Sequence, residues 1–436
     1  MNVAVIGAGW AGLAAAVAAT RAGHGVTLFE STRAFGGRAR SLPTALPDGS
    51  QVVLDNGQHI LIGAYTATLQ LMQDVGVDPA SVLLRLPLTL RFPDGDGLAL
   101  PELPAPLDAA WGIASARGWT VTDKASMLSA SLRWQLARFQ CKPFATVTQV
   151  CSGVTPRVIE QLIEPLCVSA LNTPASRASG QVFLRVVRDA LFGRGFGRWG
   201  GSNLLLPRAD LGRLFPHAAA QWLADRGARV VPGLRVQELA RHGAGWQVDQ
   251  QGFDAVLLAC PPWEAARLVR SAHVDAGNWP ARTESLTHEA IATVYATGGP
   301  RLPLPMLALH SSEAAPAQFV FDRSQLGGPP GLLAFVVSAS QRDRERLQDQ
   351  VLAQGRALGW DGLQPVQTVV EKRATFACTP ALLRPAMHLA PGLLACGDYV
   401  DGPYPATIEG AVRSALAAVA ALPMQVGSHG ARRFIR

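Results

Sequence analysis

Gly7, Gly9, Gly12 and Glu30 are the residues whose types and spacing most directly imply chemistry. Glycines at G-x-G-x-x-G spacing let backbone N–H groups approach an anion, and an acidic residue 23 positions beyond Gly7 suits the hydroxyls of a ribose. The implied chemistry is the binding of a dinucleotide. Gly7 allows a tight turn, Gly9 has no side chain to hold off a pyrophosphate, and Gly12 lets a helix lie close to a strand. Trp10 and Ala11 fall in the first helical turn, where unpartnered N–H groups and the positive dipole end would meet the phosphates. Glu30 would accept from the adenosine ribose and disfavour a 2′-phosphate.

These residues need elements to position them. Val3-Ala4-Val5-Ile6 is an apolar run suited to a buried parallel strand. A helix is predicted over 11–21 and a second strand over 25–29, ending at Glu30. Residues 1–20 are also uncharged and about as long as a membrane span, but there is no basic leader region and the glycines keep nucleotide-binding spacing. A targeting peptide or span is the weaker reading.

A second segment, 392–418, reads as strand, Gly/Pro-rich loop and helix. Gly397-Asp398 would close the strand with the carboxylate available to a ribityl hydroxyl. Thr407 and Ile408 would open a helix whose N-terminus favours negative charge. Phe35-Gly36-Gly37-Arg38-Ala39-Arg40 would place Gly37 and the Arg38 guanidinium near a second phosphate. An ordinary glycine turn with solvated arginines is the competing reading there.

Together with Asp55-Asn56-Gly57-Gln58-His59, these segments resemble the flavoprotein family of amine oxidases, carotenoid desaturases and protoporphyrinogen oxidases. The resemblance implies FAD. Gly37 and Arg38 would lie along the cofactor, and Gly57, Gln58 and His59 near the flavin ring. Thr407 and Ile408 would face the pyrimidine edge, and the backbone of Val236 would meet adenine. Where the family's last helix continues Ser-Gly, this chain has Ser414-Ala415. The segments 163–173, 371–376 and 406–414 further resemble the squalene-associated, FAD-dependent desaturase-like branch, the hydroxysqualene dehydroxylases.

That branch implies hydride transfer from reduced flavin N5 to an allylic carbon of hydroxysqualene with loss of water, giving squalene for hopanoid and squalene biosynthesis. Many amine oxidases hold a water near N5 with a lysine; here no lysine lies between Lys142 and Lys372, and the corresponding strand reads AIATVY over 290–295. This favours a C30 isoprenoid over an amine. Two other functions stay open: an isoprenoid desaturase running the flavin chemistry oppositely, and a flavin-free prenyl-chain escort protein on the same fold.

Loss of water needs a proton donor, and a positioned acid contributes roughly 10²–10⁴-fold. The resemblance puts His59 beside the flavin, with an ordinary pKa suited to proton transfer; a histidine that only hydrogen-bonds cofactor or backbone is the alternative. Tyr404 would donate a proton or shape the pocket. Glu164, before Pro165 in an apolar helix, would act as a buried acid or sit at an exposed helix end. Lys372 and Arg373 would reach the FAD or stay in solvent.

The fold expected is α/β, a Rossmann-like FAD-binding domain with a discontinuous α+β substrate (cap) domain. The first comprises 1–75, 200–270 and 385–425, the second 76–199 and 271–384, and 426–436 is a flexible basic tail. In the cap, a hairpin is expected over 88–100, helices over 123–139 (capped by Thr122) and 157–171, and a charged helix over 342–358. The chain has 436 residues, 48% hydrophobic and 16% charged, with net charge +7. Basic residues are dispersed and no nucleic-acid-binding motif occurs, so an anionic membrane surface is the favoured partner. Six cysteines without CxxC spacing suit buried thiols in a reducing cytoplasm, with no metal site. The location implied is the inner face of the cell membrane, beside the prenyl synthases that supply the substrate. Oligomeric state is left open.

Overall fold

A computed structural model describes residues 1–340 and 343–422. The basic tail 426–436 lies outside the described residues.

The strand Asn2–Ile6 is buried from Val3 onward and forms the centre of a six-stranded sheet. Gly25–Glu30 and Ala255–Leu258 flank it in parallel. Arg229–Pro232 extends one side, and Leu393–Ala395 with antiparallel His388–Ala390 extends the other. Near-continuous apolar strands fit a sheet covered on both faces. Trp10–Arg21 covers one face, and Ile408–Ala420 packs against it. Both helices are rich in alanine, which allows close approach. Gly12 sits where a Cβ would lie 1.7 Å from the Gly7 oxygen, so helix and turn are in direct contact there.

A second, antiparallel sheet runs Met306–Ala308, Phe319–Asp322, Leu333–Ser338, His288–Thr297, Gln364–Phe376. Arg344–Ala357 packs on it. A largely helical segment runs from Leu107 to Phe192. Its helix Val121–Leu136 begins two residues earlier than expected: Thr120, not Thr122, is the cap, in a capping box with Asp123. Helix 156–171 contains a π turn, Ile159–Ile163, just before Pro165. Proline has no N–H and its ring crowds the carbonyl four residues back, and the wider turn relieves both. The hairpin expected over 88–100 is Thr89–Arg91 with Gly97–Ala99.

Asp55 is buried beneath the junction of these layers, 1% exposed. One carboxylate oxygen accepts from Leu211 N–H at 2.7 Å and the other has no partner. Burial pushes its pKa from 3.8 up to about 6. The folded carboxyl therefore holds its proton more tightly than the unfolded one. Its contribution to stability is present below about pH 4 and lost as pH rises to about 6, amounting to roughly 3 kcal/mol. Asp55→Asn is expected to flatten this loss, which unfolding curves of both proteins between pH 4 and 7 would reveal.

Candidate active site

An elongated cavity of about 480 Å³ runs along the ends of the parallel strands. Gly7, Gly9, Trp10, Ala11 and Glu30 line one stretch, Val236 another, and Gly37, Arg38, Gly57, Gln58, His59, Gly397, Asp398, Thr407 and Ile408 the remainder. Gly12 does not line it; it packs beneath.

The geometry suits a dinucleotide. Gly7 has φ +104°, open to glycine, and passes the chain into Trp10–Arg21. A Cβ on Gly9 would meet nothing nearer than Gly37 Cα at 3.9 Å, so the room above this helix start exists because Gly9 has no side chain. Glu30 Oε1 accepts from Thr32 N–H, Thr32 hydroxyl and Ser31 hydroxyl, while Oε2 accepts only from Ala8 N–H at 2.7 Å. A carboxylate oxygen takes about two such bonds, so Oε2 has capacity for one ribose hydroxyl. Tyr399 lines the same cavity, and its buried hydroxyl has no partner among the described residues.

Residues predicted to contact the cofactor also have protein partners. Arg38 pairs with Asp398 at 2.6 Å and donates to Ala374 O at 2.7 Å. The guanidinium expected near a phosphate and the carboxylate expected near a ribityl hydroxyl thus also hold each other. Val236 O likewise accepts from Arg267 at 2.7 Å.

A second cavity, about 420 Å³, lies under the helical segment. Its walls are apolar: Ile62, Leu98, Leu100, Ile113, Phe183, Phe319, Phe321 and Val336 among them. The two cavities share Gln58, Ile60, Tyr65, Ser169, Ala170, Ile291 and Thr407, which mark where they meet. Ile291 belongs to the strand His288–Thr297, which carries no lysine, and none of the three lysines lines either cavity. Gln58 is held by Arg323, a guanidinium only 5% exposed, at 3.2 Å.

The three candidate acids separate. His59 lines the nucleotide-type cavity, with Nδ1 2.8 Å from Gly57 O. A carbonyl only accepts, so Nδ1 carries the proton and Nε2 is left as an acceptor. Burial holds the imidazole below its ordinary pKa. The ring is therefore neutral near pH 7, the state that suits the alternative reading of a histidine that hydrogen-bonds cofactor or backbone. Tyr404 lines only the apolar cavity; its ring meets Tyr65 edge-on at 6.3 Å and Arg413 at 5.2 Å, and burial with Asp189 pushes its pKa up to about 12. Glu164 reaches neither cavity. Its carboxylate accepts from Ala175 N–H at 3.2 Å, pinning the turn after the helix, so it is not brought to the site. Lys372 and Arg373 are exposed, Arg373 over Trp263.

Tyr65 and Arg323 escaped sequence reading. Tyr65 follows the 55–59 motif closely, but only the fold turns it toward Thr407. All six cysteines are free thiols, and no group of three or more His, Cys, Asp or Glu among the described residues is placed for a metal ion. No described helix is long and apolar enough to cross a membrane.

The fold and the nucleotide-type cavity define a flavoprotein: residues 10–423 match the family of flavin containing amine oxidoreductases, and the chain belongs to it. It is a FAD-dependent oxidoreductase of that family. It is 29% identical to hydroxysqualene dehydroxylase of Rhodopseudomonas palustris, over 95% of this chain and 96% of that protein. Among solved structures it resembles an oxidoreductase from Methanosarcina mazei (TM-score 0.70, 16% identity, 96% of this chain and 100% of that one). It also resembles cyclohexylamine oxidase from Brevibacterium oxydans (TM-score 0.67, 15% identity, 96% and 98%). At such identity these two likenesses concern the fold.

Proposed function

We propose that the protein removes the hydroxyl of hydroxysqualene reductively, forming squalene. The observation that carries this reading is the apolar cavity meeting the nucleotide-type cavity at Ile291, with no lysine at the meeting point. Full-length similarity to a hydroxysqualene dehydroxylase supports it. Segments 1–75, 200–270 and 385–425 hold FAD, and 76–199 with 271–384 form the cap over the isoprenoid.

Bound and reduced, FAD supplies a hydride equivalent. The residues do the rest. Gly9 and the start of Trp10–Arg21 hold the pyrophosphate, and Glu30 orients the ribose. Thr407 caps Ile408–Ala420 by accepting from Gly410 N–H at 3.0 Å, and this helix end favours negative charge at the flavin. The neutral His59 offers Nε2 as an acceptor. The apolar walls align the chain and exclude water that would recapture an allylic cation.

Incubation of the purified protein with hydroxysqualene and a flavin reductant should yield squalene and water; a protein that forms no squalene would sink the reading, and desaturated products would favour an isoprenoid desaturase.

An isoprenoid this apolar partitions into lipid, so the reading includes attachment to the inner face of the membrane. Leu107, Leu128, Leu132 and Phe192 line the apolar cavity and are exposed at its rim. Trp111, 61% exposed, and Leu136, 76% exposed, continue these faces one helical turn along. Co-sedimentation with anionic vesicles is expected. Leu132→Glu with Leu136→Glu should weaken it by about 10-fold or more, given roughly 1.5–3 kcal/mol per buried leucine. Complete solubility regardless of lipid and salt would count against attachment.

A further inference from the structure

We infer that Tyr65 is the proton donor to the departing oxygen, an inference that rests on the proposed dehydroxylation. The argument is the fate of each proton where the two cavities meet. Four polar residues are shared there: Gln58, Tyr65, Ser169 and Thr407. Thr407 gives its hydroxyl proton to Tyr404 O at 2.7 Å, and Ser169 gives its own to Leu166 O at 3.1 Å. Gln58 is an amide, not an acid, and Arg323 holds its oxygen. Tyr65 is the remaining acid: its hydroxyl is bonded to the Thr407 hydroxyl, whose own proton is on Tyr404 O, so the Tyr65 proton rests on an exchangeable hydroxyl oxygen from which an incoming oxygen can take it. The other acids are elsewhere or spent: His59 is neutral with its N–H on Gly57 O, Tyr404 lines only the apolar cavity, and Glu164 lines neither.

Burial, reinforced by Glu409, raises the Tyr65 pKa, so the phenol keeps its proton through neutrality until an oxygen with developing negative charge draws it. The step balances. The allylic C–O bond breaks and its electron pair stays on oxygen, which takes the Tyr65 proton and leaves as water. The carbon gains a hydride from the reduced flavin, which becomes oxidised. The phenolate recovers a proton from solvent after product leaves.

The test compares wild type and Tyr65→Phe, which keeps the ring. The substrates are hydroxysqualene and its acetate ester, whose carboxylate leaves without a proton. Loss of a general acid should lower turnover of the alcohol by about 10²–10⁴-fold and of the ester by less than about 10-fold. A second readout needs no turnover: binding to the oxidised, flavin-loaded protein, followed by perturbation of the flavin spectrum. Wild type should prefer hydroxysqualene over squalene by about 3- to 10-fold, the worth of one hydrogen bond, and Tyr65→Phe should lose that preference. Equal losses on alcohol and ester, or an unchanged binding preference, would overturn the assignment. A wild-type protein inactive on hydroxysqualene would overturn the reaction itself, and with it this role, irrespective of the variant.

Discussion

Replacing Gly9 with valine is expected to give a folded protein that purifies without flavin. The backbone at Gly9 is extended, φ −71° and ψ −177°, a conformation open to any residue. The nearest atom to an added Cβ is Gly37 Cα at 3.9 Å, so the polypeptide accommodates the first carbon. The branched side chain then fills the space above the start of Trp10–Arg21, where a pyrophosphate must sit to meet the free N–H groups. Overpacking of about 1–3 kcal/mol sets a floor of roughly 5- to 150-fold on the loss of affinity. Gly12→Ala makes the contrast, since its Cβ would lie 1.7 Å from Gly7 O and would part helix from strand. Visible absorbance and thermal unfolding of Gly9→Val separate the two effects. A yellow protein of ordinary flavin affinity would remove the pyrophosphate from this turn.

The nucleotide-type turn was legible because its requirements are local. A glycine at positive φ, a glycine in close contact and a dipole end all follow from residues 7–12 alone. The true cap of Val121–Leu136 is legible on the same terms. Thr120 has an acid three residues later and Thr122 has alanine, and only the first makes a capping box. Glu164 misled because an acid in an apolar helix looks catalytic. Its real partner, Ala175 N–H, is set by a chain reversal at Asn172, whose φ is +45°, and nothing in the residue types announces that turn. The meeting of the cavities was still less visible. Tyr65, Ile291 and Thr407 come from three separate segments, and isoleucine carries no chemical signature. Arg323 reads as a surface residue until the sheet containing Phe319–Asp322 buries it against Gln58.

Glu409→Ala should destabilise the fold by about 3–5 kcal/mol. Glu409 is 0% exposed. It accepts from Ala67 N–H at 3.1 Å, Thr68 N–H at 2.9 Å, Thr68 hydroxyl at 2.7 Å and Arg413 at 2.7 Å. The helix Thr66–Asp74 has Tyr65 at its N-cap, which supplies no side-chain acceptor, so a carboxylate from a helix more than three hundred residues away does the capping. Alanine would leave two backbone donors unsatisfied, at about 1–3 kcal/mol each, and Arg413 without its carboxylate. Glu409→Gln keeps an acceptor oxygen and should lose less. Thermal unfolding of the three proteins at one pH provides the ranking, and a loss below about 1 kcal/mol for alanine would show that water replaces the missing acceptor. The consequence extends to chemistry, because this one side chain fixes Tyr65 at the start of one helix relative to Thr407 at the start of the other. Loosening it should widen the gap between the proposed proton donor and the flavin, so that turnover falls in Glu409→Gln by more than its stability does.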